Sequence, residues 1–471
     1  MLAFLEVIFS SIATVAELYR RREITPLQVT QALLSRIKRL NPRFDAFITV
    51  CEERALLDAE AAERRLRRGE GTALTGIPIA VKDSIATMGI RTTANSWLLA
   101  EWIPQRDAAV VARLREAGAV LIGKTNLNEF GWSVPREDDF CPPPRNPWNP
   151  QYAAIGSSSG SGVALAAGLC LGALGTDGGG SVRLPAAQMG LVGLKPTHAL
   201  ISRTGLLHAG SISDVGLLTR TVTDSAILLT VLAGYDPSDA DSEPRAAVDY
   251  TRGLDGGVSG LRVGVPRGYI DKVGVEAEVR EAFDRALAVL LDLGAAIVEV
   301  ELPVLDYARG ANFVILNAEH YAAHEDVLAR AWSRYGRSAR LYHAQGAFVS
   351  AADYLHARAV SRLAREAVDQ ALQGVDLLAL PTSPMLTAEA ARRPESHRRG
   401  IGASFTSPFN LTGHPAVSVP CGLSSIGLPI GLQLVGRWFD ELTLLRAAFA
   451  YEQATPWHTM RPAAVVRDEV G

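Results

Sequence analysis

Apolar residues recur at helical spacing over the first seventy positions and then give way to short, unbroken apolar runs. Thr25-Pro26 reads as an N-cap followed by proline at the first helical position. Val29, Leu33, Ile37 and Leu40 follow three or four residues apart, and Asn41-Pro42 predicts the stop. A second helix, rich in Ala, Glu and Arg, is predicted over Glu52–Arg68. Beyond it, strands at Ile77–Val81 and Ala119–Ile122 flank a helix opened by Asp107. Leu261–Val265, an amphipathic helix over Val275–Leu293, and Ala296–Val300 form another strand–helix–strand unit. Val375–Leu380, Ala416–Val419 and Leu428–Val435 read as further buried strands.

This alternation predicts an α/β fold, one large domain with a central mixed sheet covered by helices on both faces. The polar loop Gly234–Pro244, after a helix near Ala226–Ala233, is the best internal boundary. No flexible linker or fixed-period repeat divides the chain. Residues 1–471 are therefore expected to form one domain, with an N-terminal helical segment over 1–70 and the chemical motifs within 76–220.

Composition narrows the function. A net charge of −3 over 471 residues, without a basic face, argues against a nucleic-acid partner. The one dense basic run, Ala391–Gly400, is broken by Pro394 and Glu395 and reads as a solvated loop. Cys51, Cys141, Cys170 and Cys421 are scattered, which argues against a disulfide framework and a zinc site and for a reduced, cytoplasmic protein. Met1–Ile12 is apolar but carries Glu6 and lacks a basic flank and a cleavage site. It is too short to span a bilayer and reads as a helix or strand on the body, with a membrane-touching segment as the alternative.

Two Gly/Ser clusters stand out, Gly156–Gly162 (GSSSGSG) and Thr176–Ser181 (TDGGGS). Alone, either is a turn or linker. Each instead runs directly into an element, the Ala-rich stretch Val163–Leu169 or Ser181-Val182-Arg183-Leu184-Pro185. Successive glycines let backbone N–H groups converge without Cβ obstruction, as an oxyanion hole requires, and a serine directly after it is placed to attack. On spacing alone a phosphate cradle is an equal alternative, although no Gly-Lys-Ser/Thr follows either cluster. Gly156–Gly160 also satisfies GxSxG, which would make Ser158 the nucleophile of an α/β-hydrolase. That elbow needs a strand just before it, where Cys141–Pro150 carries five prolines. Its downstream acid and base, for example Asp376 and His414, carry no local mark of a role.

Lys82 ends the apolar run Ile77–Val81 and is followed by Asp83. A strand-end lysine is ordinarily exposed or salt-bridged. As a buried neutral base it would need its pKa lowered by about three units, roughly 4 kcal/mol, which burial can supply.

Together, Lys82, Ser157–Gly160 and Thr176–Pro185 resemble the amidase signature family, and Asp107–Phe130, Gly190–Thr197 and Pro408–Leu434 extend the similarity over most of residues 70–455. Ser157 and Ser181 lie 24 residues apart, the family's usual interval. The resemblance implies the amidase signature fold, with Ser181 as nucleophile, Ser157 as bridging serine in a cis peptide and Lys82 as base. It implies an oxyanion hole from the amides of Gly178, Gly179 and Gly180. Ser158, Thr176, Asp177 and Arg183 occupy supporting positions, Arg183 being structural or substrate-binding. No metal or organic cofactor enters this scheme, and the nine histidines carry no role in it.

The expected function is hydrolysis of a linear C–N bond in a small-molecule amide, carbamate or ureido compound, with a homodimer as the expected assembly and no membrane partner. Ile155 stands where the family has a second glycine and Gly162 where it has alanine. Trp132–Pro144 departs from the usual loop bordering the pocket. The rival within the family is the glutamine-hydrolysing catalytic component of an aminoacyl-tRNA amidotransferase, which passes ammonia to a partner protein. Against it, Lys195-Pro196-Thr197 continues as His198-Ala199-Leu200 rather than Tyr-Gly-Arg. A non-catalytic scaffold would not be expected to keep Lys82, Ser157 and Ser181 together.

Overall fold

The computed structural model describes residues 6–207, 210–386 and 402–466, so the basic run Ala391–Gly400 lies outside the described residues. Eleven strands form one sheet: β1 (Phe47–Val50), β2 (Pro78–Lys82), β3 (Val120–Thr125), β4 (Gly172–Asp177), β5 (Val192–Lys195), β6 (Asp214–Thr219), β7 (Arg262–Val265), β8 (Ala296–Glu299), β9 (Leu377–Pro381), β10 (Ala416–Leu423) and β11 (Pro429–Val435). Their order across the sheet is β1-β3-β2-β4-β6-β5-β10-β11-β9-β7-β8. β3, β2 and β4 run parallel, as do β9, β7 and β8, and the pairs between these groups are antiparallel. The sheet is thus mixed and flanked by helices. Strands β2, β3, β5, β6, β9 and β11 are buried at every position, so they read as continuous apolar runs without alternation.

The predicted elements differ from these in instructive ways. The helix that starts at Pro26 runs through Pro42 to Phe44 and ends on Asp45 in the left-handed region. Proline there removes a hydrogen bond only from the last turn, while burial of Leu40 and Phe44 holds that turn in place. Asp107 does not open a helix. The helix begins at Ala109, and Asp107 accepts from the Met88 amide and pairs with Arg115. Strands β1, β4, β5 and β6 carry little propensity signal. β4 reads GALGTD and exists through its neighbours β2 and β6.

In the first segment, Val7 and Ile8 are buried, and the Phe9 ring lies under the guanidiniums of Arg36, Arg220 and Arg461 at 5.4, 5.1 and 5.5 Å. Among the described residues no helix is long and apolar enough to cross a membrane. The parallel trio fixes the site. Ala80 pairs with Ala173 and Val81 with Leu174, so the carboxyl ends of β2 and β4 lie side by side, where open α/β sheets place their ligands.

Candidate active site

Alternation along β2 puts Ala80 and Lys82 on one face and Ile79 and Val81 on the other. The Lys82 side chain is fully buried, and its Nζ donates to Ser157 Oγ and Thr176 Oγ1, each at 2.7 Å. Burial drives its pKa down to about 7, and the charge of Asp177 pulls it only partly back. Near neutral pH a large fraction of this amine is therefore unprotonated, with two hydroxyls as partners.

Ser157 enters through a cis Gly156–Ser157 peptide. A Cβ on residue 156 would lie 2.3 Å from Asn128 Oδ1, so only glycine fits there. Ser158, one residue on, has its amide on the Ser181 carbonyl at 3.1 Å, which brings the two serine segments together. The Ser158 hydroxyl is buried, donates to the Thr176 carbonyl at 3.2 Å and accepts from the Thr176 amide at 3.3 Å. The elbow reading of Ser158 meets none of its requirements. Residues 145–156 hold only an isolated bridge, Arg145 with Ala153, and no strand. Asp376 binds Arg437 and the Arg262 amide, whereas His414 bonds Asp369 and Thr412.

The Thr176–Ser181 loop turns on the Asp177 carboxylate, which accepts from the amides of Gly180 (2.6 Å), Val182 (3.1 Å) and Arg183 (3.3 Å). Arg183 Nε and Nη2 add bonds at 3.1 and 3.0 Å. Burial alone would raise the Asp177 pKa, but the Arg183 charge and these bonds outweigh it and hold the pKa down at about 2. Arg183 is fully buried and also bonds Gln433 Oε1 at 2.8 Å and Asn410 Oδ1 at 2.6 Å. Its donors are thus committed to the scaffold.

Three side chains from distant helices pin the loop's carbonyls. Asn410 Nδ2 holds Asp177 O at 2.7 Å, Asn312 Nδ2 holds Gly178 O at 3.0 Å, and Thr406 Oγ1 holds Gly179 O at 2.7 Å. In a trans peptide the following N–H points opposite to the carbonyl. Asn410 and Asn312 therefore aim the amides of Gly178 and Gly179 away from themselves. Thr406 aims that of Gly180 into Asp177. Gly178, Gly179 and Ser181 are partly exposed, and Gly180 is buried. Gly180 has φ +120°, and a Cβ on it would sit 2.2 Å from Thr406 Oγ1. Asn312, Thr406 and Asn410 escape sequence reasoning because no local pattern marks them. Their partners lie 134, 227 and 233 positions away.

The loop Trp132–Pro144 borders this centre. A Cβ on Gly131 would lie 3.5 Å from Ser157 Oγ. Trp132 is buried, its Nε1 donates to Asn317 Oδ1 at 2.9 Å, and its ring stacks on His320 at 5.2 Å. Val134 and Cys141 are anchored through their amides to Ser338 and Asn95. His198 pairs with Asp214 at 2.8 Å, outside the lysine–serine contacts.

Comparison with known proteins adds an independent line. A family model described as Amidase matches residues 28–445. The chain is 40% identical over 477 residues to the GatA-type component of glutamyl-tRNA(Gln) amidotransferase from Geobacter metallireducens, covering 95% of this chain and 98% of that one. It resembles the solved structure of the same amidotransferase component from Thermotoga maritima with a TM-score of 0.78 and 34% identity, covering 93% of this chain and 94% of that one. It resembles the peptide amidase of Stenotrophomonas maltophilia with a TM-score of 0.81 and 31% identity, covering 95% and 97% of the two chains.

Proposed function

The chain belongs to the amidase family, hydrolases of carbon–nitrogen bonds, and from that premise we propose that Ser181 is its nucleophile and that Ser157 and Lys82 carry the proton. Support comes from one observation above the others: a fully buried Lys82 Nζ lies 2.7 Å from Ser157 Oγ. In this mechanism Ser181 Oγ attacks the amide carbonyl carbon. Its proton passes to Ser157 Oγ while the Ser157 proton passes to Lys82 Nζ. The developing oxyanion is held by the amides of Gly178 and Gly179, whose direction Asn410 and Asn312 set. The tetrahedral intermediate collapses as the relay returns the proton to the leaving nitrogen. Water, deprotonated by the same relay, then releases the acyl group from Ser181. Asp177, Arg183, Thr176 and Ser158 position these groups.

The assignment is tested by serine-reactive fluorophosphonate labelling and by Ser181→Ala. Label on Ser181 and loss of amide hydrolysis in the variant are expected. Full activity in Ser181→Ala, with loss in Ser158→Ala instead, overturns it.

For the substrate, similarity over almost the full length of both chains favours the glutamine-hydrolysing amidotransferase component over a stand-alone amidase. The amide cleaved is then the side-chain carboxamide of glutamine, the acyl-enzyme is a glutamyl ester of Ser181, and the ammonia released goes to a partner protein. Against it stand His198-Ala199-Leu200 and the Trp132–Pro144 loop. Ammonia release from glutamine by the purified chain, alone and with the other amidotransferase components, decides the matter. Turnover of aryl or aliphatic amides with none of glutamine in either form returns the chain to the stand-alone class.

A further inference from the structure

Three buried histidines that the proton relay does not use come together behind Trp132. His320 and His324 stand four residues apart on the helix Leu305–Ala331, hence on one face, and His343 comes from the helix Arg337–Ala344. One nitrogen from each lies within 4.8 Å of the other two. An ion about 2.1 Å from each nitrogen bridges nitrogens up to about 4.2 Å apart, so the widest pair closes with a movement of about 0.6 Å.

The ring centres give a second measure. They lie 4.1, 5.4 and 6.4 Å apart. The point equidistant from all three is about 3.2 Å from each centre, which is the sum of a metal–nitrogen bond of about 2.1 Å and an imidazole radius of about 1.1 Å. The His324 and His343 rings face each other at 24°, so one must turn about its Cβ–Cγ bond to aim its nitrogen at that point. That torsion is soft.

The surroundings suit such an ion. His324 Nδ1 meets the Tyr335 hydroxyl at 2.7 Å, the outer contact that fixes the ring when the opposite nitrogen holds a metal. Phe130 packs edge-on against His324 and His343 at 4.6 and 5.9 Å, and Trp132 stacks on His320. Three neutral imidazoles with no carboxylate among them suit zinc or a neighbouring transition metal rather than magnesium or calcium. We propose that His320, His324 and His343 form a divalent transition-metal site of zinc type. The ion ties the two helices together and braces Trp132, the residue that follows Gly131 at the relay. It takes no part in the acyl transfer, so the inference stands apart from the proposed activity.

The test uses the full chain, stripped with a chelator and titrated with Zn²⁺ by calorimetry, with thermal melting in parallel. One equivalent is expected to bind with a micromolar or tighter constant and to raise the melting temperature. His343→Phe, which keeps a flat ring and removes both nitrogens, should weaken binding at least tenfold and abolish the shift while still melting cooperatively without metal. Should that variant not fold, X-ray absorption of the zinc-loaded wild type reads the site directly. A shell of three imidazoles supports it. Lack of stoichiometric binding to the wild type, undiminished binding by a folded His343→Phe, or a shell without imidazoles overturns it.

Discussion

Lys82 and Lys124 sit on adjacent strands of the same sheet, both out of reach of solvent, and their surroundings divide them into different kinds of residue. Lys124 Nζ donates to Ile85 O at 2.6 Å, Thr92 Oγ1 at 2.7 Å and Thr87 Oγ1 at 3.0 Å, and it lies 3.7 Å from Asp83 Oδ1. Burial lowers its pKa to about 8, with Asp83 pulling the other way. Lys82 has only the hydroxyls of Ser157 and Thr176 and falls to about 7. A carbonyl or carboxylate can only accept from an ammonium. A hydroxyl can accept from it or give it a proton. Burial perturbs both lysines, but only one faces partners with a proton to exchange, so partner chemistry separates a base from a strut.

The sharpest way to break this contrast is to substitute each lysine by methionine. Lys82→Met is expected to lower kcat by at least about 1000-fold near neutral pH, with the fold intact by circular dichroism. An undiminished rate would remove Lys82 from the relay. Lys124→Met should instead lose roughly 3–5 kcal/mol of unfolding free energy in urea, because it strands buried Asp83 without its cation. Its kcat, measured on folded protein, should stay within about tenfold of wild type.

The lowered pKa also gives each experiment a pH axis. The rate should rise with pH through about 7 as Lys82 loses its proton, falling tenfold per unit below it. Thr176→Val removes one acceptor from the charged form and should move that inflection lower. For stability the sign is opposite to that of a paired cation. The folded pKa lies below the unfolded one, so as pH falls from about 10.5 towards 7 the unfolded chain binds the proton first and stability declines. Below about 7 this contribution is constant. The difference in unfolding free energy between wild type and Lys82→Met across that window reads it. The smallest expected effect is Thr406→Val. Freeing the Gly179 carbonyl should loosen the loop and lower kcat about tenfold with little change in KM, the size of one lost positioning bond.

The local half of the site was legible in the chain. Lys82, Ser157 and Ser181 stand in motifs whose order and 24-residue interval are sequence properties. The remote half was not. Asn312, Thr406 and Asn410 are unremarkable residues on or beside helices, and only the closing of the sheet brings them to the glycine loop. The oxyanion-hole reading changes for the same reason. Three glycines suggest three equivalent amides, but Asp177 takes that of Gly180. The histidine cluster was half visible, since His320 and His324 have helical spacing, while His343 arrives from another helix. In the fold, periodicity found the long amphipathic helices and the apolar strands. It missed β4, whose Gly and Thr residues become a strand only between β2 and β6.

Arg183 joins the first part of the chain to the last. Its guanidinium links Asp177 on β4 to Gln433 on β11, 250 positions downstream of the arginine. All three residues assigned to the chemistry lie within the first 181 positions. On the ribosome, then, the nucleophile is made early but has nothing to hold its loop until β11 has emerged. The nascent protein carries its reactive serine through most of synthesis without the means to use it, and activity begins only when translation has passed that last strand.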